Sequence, residues 1–436
     1  MPLDLLAVTV RHFFPELNRW FDEVPDHRDP ERITYRVRHL LWEELLMFLS
    51  GAGSRYAMVG DTEHAQFRDA LLDLSKSAGK AVAHPDTAYA FLRKLHPSHL
   101  AALQARLVRR LLRMRALDSF RFGLEWLVAV DATWLRTYDR QHCPRCLHQK
   151  QPDGTVRWMH AVLEAKLILS NRMAISLASV SIENRGPVTD RQDCELKALP
   201  RLARLLKKLF PRLPICLTMD SLYANAPVMK LCEEMNWSYI AVFTPGRTPA
   251  LWKRAVAKAQ KGPAHTRTRE DGTVQVLRWA VNLTHEGHTT HALFCDETDP
   301  DGTVHHWAWL SDHRPDQTQA PIIANQGGHP RWRIENEGFN AQKNGEFGLK
   351  HDYGSKGNTW YNDYLIVQIA HLLQQLIQFG DLIRKLSAGA YATFIEAFHT
   401  IRGFFTMLRA SLQRDRVSPA FQGDSPLGIQ IRLNSS

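Results

Sequence analysis

Three acidic positions in this chain have the settings needed to hold divalent cations. Asp131 closes the apolar run "LVAVD" and Asp220 follows "ICLTM". The stretch "HPRWRIENEGFNAQKNG" then sets Glu335 and Glu337 at helical spacing beside Arg331, Trp332 and Phe339. Carboxylates among apolar neighbours are costly to bury unless a cation pairs with them. Hard cations such as Mg²⁺ take oxygen ligands and keep phosphate partners. Two such ions between three carboxylates clamp the attacking and leaving oxygens of a phosphoryl transfer. Each acid alone reads more simply as a turn residue, a cap or part of a solvated helix face. As a set they favour a cation site.

A second group lies in "DRQHCPRCLHQK", where Cys143 and Cys146 form a CxxC flanked by His142 and His148. One CxxC is half a zinc site, and it competes with a redox pair or thiols without a role. Cys216, Cys232 and Cys295 read as core residues. Trp252, Trp279, Trp307 and Trp309 fall in or beside strand-like segments and read mainly as core, and the histidines of "THEGHTTHALF" read as hairpin residues.

The elements that must position these residues follow from periodicity. Up to about residue 120 the apolar spacing is helical, as in "RHLLWEELLMFLSGAGS" and "SHLAALQARLVRRLLRMRAL", and Asp86 in "HPDTAYAFLRKL" is the expected helix cap. From 125 the period changes. "EWLVAVDATWLRTYD", "VRWMHAVLEAKLIL" and "NRMAISLASVSI" read as a three-strand meander. The helix "CELKALPRLARLLKKLF", the strand before Asp220, the helix "APVMKLCEEMN" and the strand "SYIAVFTP" complete an α/β core of order β-β-β-α-β-α-β. Hairpins with "EDG" and "PDG" turns then read as an all-β insertion, and helix is expected again from about 329. The sequence after "RDRVSPAFQGDSP" reads as loosely ordered.

Composition narrows the class. The 436 residues carry a formal charge of +10, spread over "RLVRRLLRMR", "RLARLLKKLFPR" and "WKRAVAKAQK". That spread points to an extended polyanionic partner, usually nucleic acid. No run approaches the ~20 apolar residues of a membrane helix, and no signal peptide is expected. Six cysteines in this length do not make a disulfide framework, so a reducing cytoplasm is the expected compartment.

"VAVDATWL", "LTMDSLYAN" and "RWRIENEGFNAQKN" resemble the three acidic motifs of DDE transposases from bacterial cut-and-paste insertion sequences. The likeness covers roughly residues 125 to 350, including a β-rich insertion between the second and third acids. It implies an RNase H-like mixed-sheet core. The expected division is a helical DNA-binding region 1–122, core 123–245, β insertion 246–310, second core part 311–390 with the catalytic helix, and a C-terminal helical tail 391–436. It implies that Asp131, Asp220 and Glu335 are catalytic and hold Mg²⁺, with Mn²⁺ able to substitute, and that Arg331 contacts a DNA phosphate. Gly328 stands where the family has a motif tyrosine. Gln342 stands at the motif lysine, with Lys343 one place later. Glu337 is the alternative third acid, because Phe339 and Lys343 are better spaced from it.

The likeness also implies an aromatic in the insertion that stacks on a flipped base, for which Trp279 is the candidate. In such a topology the ends of the first and third strands share a side, so Cys143, Cys146, His160 and Cys194 are expected to meet around a structural zinc. The activity implied is metal-dependent cleavage at transposon ends and transfer of the 3′-hydroxyl into target DNA, close to the bacterial nucleoid. The N-terminal helices would bind terminal inverted repeats, and two protomers would synapse two ends. The apolar helix near 361 to 386 would serve a dimer or the core. The alternatives are a metal-dependent nuclease on the same fold and a catalytically inactive DNA-binding derivative.

Overall fold

The strand-like segments join in one mixed sheet in the computed structural model, which describes residues 1–77, 82–184, 192–354, 356–422 and 428–434. The strands are β1 (Trp126–Tyr138), β2 (Leu147–Lys150), β3 (Val156–Ile168), β4 (Ala174–Ile182), β5 (Ile215–Met219), β6 (Ser238–Val242), β7 (Ala264–Thr268), β8 (Val274–His285), β9 (His288–Thr298) and β10 (Val304–Ser311). They form a 10-stranded sheet in the order β2-β3-β1-β5-β6-β10-β9-β8-β7, with β4 on β3. The protein is therefore of mixed α/β class. β1, β5 and β6 run parallel because a helix returns the chain between successive members, Glu195–Leu209 before β5 and Ala226–Met235 before β6. Asn225 caps the second of these through the Val228 N–H, 3.1 Å away. The remaining pairs are antiparallel, and β2–β3, β3–β4, β7–β8, β8–β9 and β9–β10 join strands consecutive in the chain. Gly154, Gly272 and Gly302 sit in the turns between β2 and β3, β7 and β8, and β9 and β10, with φ of 84°, 86° and 87°, a backbone region that side chains with a Cβ rarely enter.

Several expectations are corrected. The short β2, inside the cysteine segment, extends the meander to four strands. The insertion is not all β: it opens with the helix Pro249–Gln260. Its β10 pairs with β6, so its strands continue the central sheet. Helix resumes at Gln319, earlier than expected. The cap of Pro85–Lys94 is His84, whose ring accepts the Asp86 N–H; Asp86 lies in the first turn. The helix Thr359–Gln378 is buried on nearly all sides and packs against Val37–Leu49, Pro97–Arg113 and Pro2–Phe13, so it is core. The described residues after Arg414 are tied down: Arg11 donates to the Phe421 carbonyl at 2.6 Å and Asp381 N–H to the Arg432 carbonyl at 2.9 Å. One hydrophobic core runs from Leu3 to Ile431. All six cysteines are free. Among the described residues no helix is long and apolar enough to cross a membrane.

Candidate active site at the β1–β5 junction

The parallel pairing of β1 with β5 ends at Ala129 beside Thr218. Carried on, that register sets Asp131 beside Asp220. Asp131 is not at a strand end. β1 continues to Tyr138 against β3, and Asp131 lies where β5 peels away. Side chains alternate across a sheet, and the core follows that rule. Val128 and Val130 enter the main core, whereas Leu127, Ala129 and Cys216 enter a smaller cluster with Ile323, Ile334 and Phe339. Asp131 and Asp220 share the parity of this second face, which the helical segment from Gln319 to Asn344 covers.

That segment is wound irregularly. Two π-helical stretches, Ile323–Gly328 and Ile334–Asn340, flank a 3₁₀ turn at His329–Trp332. Pro330 explains the interruption, since it lacks an N–H and its ring clashes with the carbonyl four residues back. The segment lies hard against the sheet: a Cβ at Gly327 would strike Ile240, and one at Gly328 would strike the Trp309 indole. Thr218 Oγ1 donates to the Gly327 carbonyl at 3.1 Å. A tyrosine at 328 is therefore excluded by packing.

Two sides of this segment do different things. On one, Arg333 donates to the Leu169 carbonyl at 2.5 Å and Glu337 pairs with Arg172 at 3.1 Å, so both grip the β3–β4 turn. On the other, Arg331 donates to Glu335 at 3.0 Å, and both act electrostatically on Asp131. The structure thus sets Glu335 within electrostatic reach of Asp131 and turns Glu337 toward Arg172. Arg331 is only 4% exposed, with its guanidinium 4.0 Å from the Trp332 ring centre, and its Nε has no hydrogen-bond partner. Gln342 is buried in a core network with Gln368 and His371. Lys343 instead lies within electrostatic reach of Asp131. A π turn accommodates one residue more than an α turn, which accounts for the basic side chain arriving one place late.

A fourth acid joins the group. Glu195, in the first turn of Glu195–Leu209, accepts a hydrogen bond from the Tyr223 hydroxyl at 3.0 Å. Burial and the nearby Asp220 charge push its carboxyl upward. Burial, Glu195, Asp220 and Asp131 all push the Tyr223 phenol up. Asp131 itself is pushed up to about 7, first by burial and then by the Glu335 charge, while Arg331 and the Ala132 N–H at 2.9 Å oppose the shift. Asp220 Oδ1 accepts the Leu222 N–H at 2.8 Å. Negative charge therefore exceeds the protein's own supply of cations here, and the donor set is all oxygen, as a hard divalent cation requires. Sequence reasoning missed Glu195 because an acid in a first helical turn is commonplace, favoured by the helix dipole alone.

Other expected site residues lie elsewhere. Trp279 is half-buried on β8, opposite Leu293 and against the smaller core cluster. The tryptophans most open to solvent are Trp134 on β1 and Trp332 over Arg331, 43% and 44% exposed. Cys143, Cys146 and His160 come together, but Cys194 is exposed at the head of its helix. No family model matches the chain, and no curated protein matches it.

Proposed function

We propose that this protein is a DNA transposase with an RNase H-like core, cutting at transposon ends and joining the freed 3′-hydroxyl to target DNA. What supports this reading is the parallel register that, carried on, sets Asp131 beside Asp220, with Glu335 and Arg331 of the covering helical segment acting electrostatically on Asp131 and Lys343 within reach of it. Asp131, Asp220 and Glu335 would hold Mg²⁺ or Mn²⁺. Such cations, when bound, supply charge neutralisation at the phosphate and a lowered pKa for water.

The chain's own residues do the rest. Arg331 and Glu335 neutralise each other as the site stands. Once Glu335 turns its charge to a cation, the Arg331 fork is free for a phosphate oxygen, a task suited to planar guanidinium geometry. Its unpartnered Nε already offers one donor. Lys343 adds a second positive charge beside Asp131. Arg106, Arg109 and Arg113 lie along one cleft of the N-terminal helices with Trp20 and His99, a surface suited to the backbone of terminal repeats. Trp332, over Arg331, offers a stacking face beside the acids. Two protomers are implied, since two ends must be brought together.

The test is an assay with labelled duplex ends, Mg²⁺ or Mn²⁺, and a target plasmid. The reading requires joined products from the wild type. Asp131→Ala should lose cutting and joining by at least about 100-fold while still shifting end DNA in a gel. Cutting without joining would make the protein a nuclease, and binding without cutting an inactive derivative. Undiminished cutting by the Asp131→Ala variant would remove the site assignment.

A further inference from the structure

We propose that the loop joining β1 to β2 is stapled to β3 by a structural zinc ion held by Cys143, Cys146, His160 and His142. The inference does not depend on the transposase reading. The two Sγ atoms and the Nε2 of His160 form a triangle of 3.6 Å on every side. Zinc bonds of about 2.3 Å to sulfur and 2.0–2.1 Å to nitrogen, at tetrahedral angles, imply edges of roughly 3.8 Å between sulfurs and roughly 3.6 Å between sulfur and nitrogen. The triangle has the size of one face of that tetrahedron. It is far too wide for a disulfide, which needs about 2.05 Å.

The fourth corner goes to His142. Its ring nitrogen, the Cys143 sulfur and a His160 ring nitrogen all lie within 4.8 Å of one another. The expected Cys194 stands at the head of the helix Glu195–Leu209, outside this group, whereas the exposed His142 reaches it from the loop. His148 is set aside on β2, its ring against Trp158.

The surroundings are built to hold these groups. His160 is 2% exposed and lies flat on Trp360 at 4.7 Å, which fixes the ring with Nε2 toward the sulfurs. Its Nδ1 has no hydrogen-bond partner, so among the described residues the two sulfurs are the polar groups that meet this buried imidazole. Cys146 is buried, and its carbonyl accepts from Asn184 at 2.9 Å. The Asn184 N–H donates to the Arg145 carbonyl at 3.1 Å, tying the knuckle to the end of β4. Tyr138 stacks on His142 at 4.6 Å. A site closed by four protein ligands leaves no position for substrate, so its role is structural. It anchors the distal half of β1, the strand that also carries Asp131.

The full chain, purified under reducing conditions from zinc-supplemented medium, should carry one zinc per chain by elemental analysis. X-ray absorption should give two sulfur and two nitrogen neighbours, and Co²⁺ exchange should produce a thiolate-to-cobalt charge-transfer band. Asp131→Ala and Cys194→Ser should keep the zinc. Cys146→Ser should lose it, and His142→Ala should weaken retention against a chelator at least tenfold. Because the wild-type metal content is itself decisive, misfolding of a variant does not shield the proposal. Wild-type protein with neither zinc nor a cobalt band would overturn the site, as would quantitative disulfide formation with zinc present. Three sulfur neighbours, with zinc lost on Cys194→Ser, would overturn the assignment of His142.

Discussion

Glu335 and Glu337 differ by two positions in sequence and by everything they touch. Glu335 shares Arg331 with the neighbourhood of Asp131, whereas Glu337 spends its charge on Arg172 at the rim of the β3–β4 turn. Neither glutamate's neighbours in sequence could separate them, because a π turn moves the expected facing by a residue. Substitution separates them cleanly. Glu335→Gln should lower DNA cleavage by at least about 100-fold, the scale of losing one essential charged group, and leave the melting temperature near wild type. Glu337→Gln should keep cleavage within a few-fold and cost at most about 1 kcal/mol of stability, since its partner Arg172 is largely exposed. Paired cleavage rates and melting curves of the two variants check this. Equal losses of cleavage in both would mean the segment's facing is assigned wrongly. The aspartates were legible in sequence because each follows an unbroken apolar strand. Glu195 was not, because its importance comes from the fold bringing Asp220 and Tyr223 to it.

At the scale of elements, the irregular segment Gln319–Asn344 is held in place by the inserted strands. Glu297 on β9 accepts from Gln275 of β8 at 2.6 Å and pairs with His329 at 2.9 Å, and Gln275 also bonds Asn325 at 2.8 Å. Burial alone would raise the Glu297 carboxyl, but the His329 and Gln275 bonds outweigh it and bring it down to about 2. A carboxyl depressed in the fold stabilises above its ordinary value near 4.5, and that stabilisation is lost as pH falls toward 2. Glu297→Gln should therefore melt lower than wild type at pH 7, by on the order of 2 kcal/mol, with the gap closing between about pH 4.5 and 2. A gap independent of pH would show that the carboxylate charge is not what matters. Cleavage should fall as well, because the anchor of Arg331 and Glu335 loosens. Packing gives a companion expectation: Gly328→Ala drives a methyl into Trp309 and should cost about 1–3 kcal/mol by thermal melting. The strands and their turns were visible in the sequence through alternation and the PDG and EDG signals. The helix Pro249–Gln260, β2 and the early return of helix were not. The first lay in a segment read only for its charge, the second is four residues long, and the third is interrupted by Gly327, Gly328 and Pro330, which read locally as a loop.

Across the whole molecule, the N-terminal helices are built into the α/β core and cannot be detached from it without exposing a buried ionic network. Arg55 pairs with Glu44 at 2.6 Å and with Asp363 at 2.5 Å, and donates to the Tyr353 carbonyl at 2.6 Å. All three charged side chains are buried, and they join Val37–Leu49 to the long core helix Thr359–Gln378. Burial alone would favour neutral Arg55, but Asp363 and Glu44 more than reverse that and hold it charged, whereas burial pushes Asp363 up to about 6 against the Arg55 charge. One cation between two acids is a balance that removal of the arginine destroys. Arg55→Ala leaves Glu44 and Asp363 buried without their partner and should cost about 3–5 kcal/mol, read by chemical denaturation of the full chain. The triple substitution Arg55→Met, Glu44→Leu, Asp363→Leu removes every charge at once and should recover most of that loss, because buried ion triads replace well with apolar side chains. A chain starting near residue 123 should fail to give a cooperative melt, since it would bare the faces of Thr359–Gln378 that Val37–Leu49 and Pro97–Arg113 now cover. A soluble, cooperatively melting fragment from that boundary would show instead that the N-terminal helices are a separable module, as the sequence pattern by itself implied.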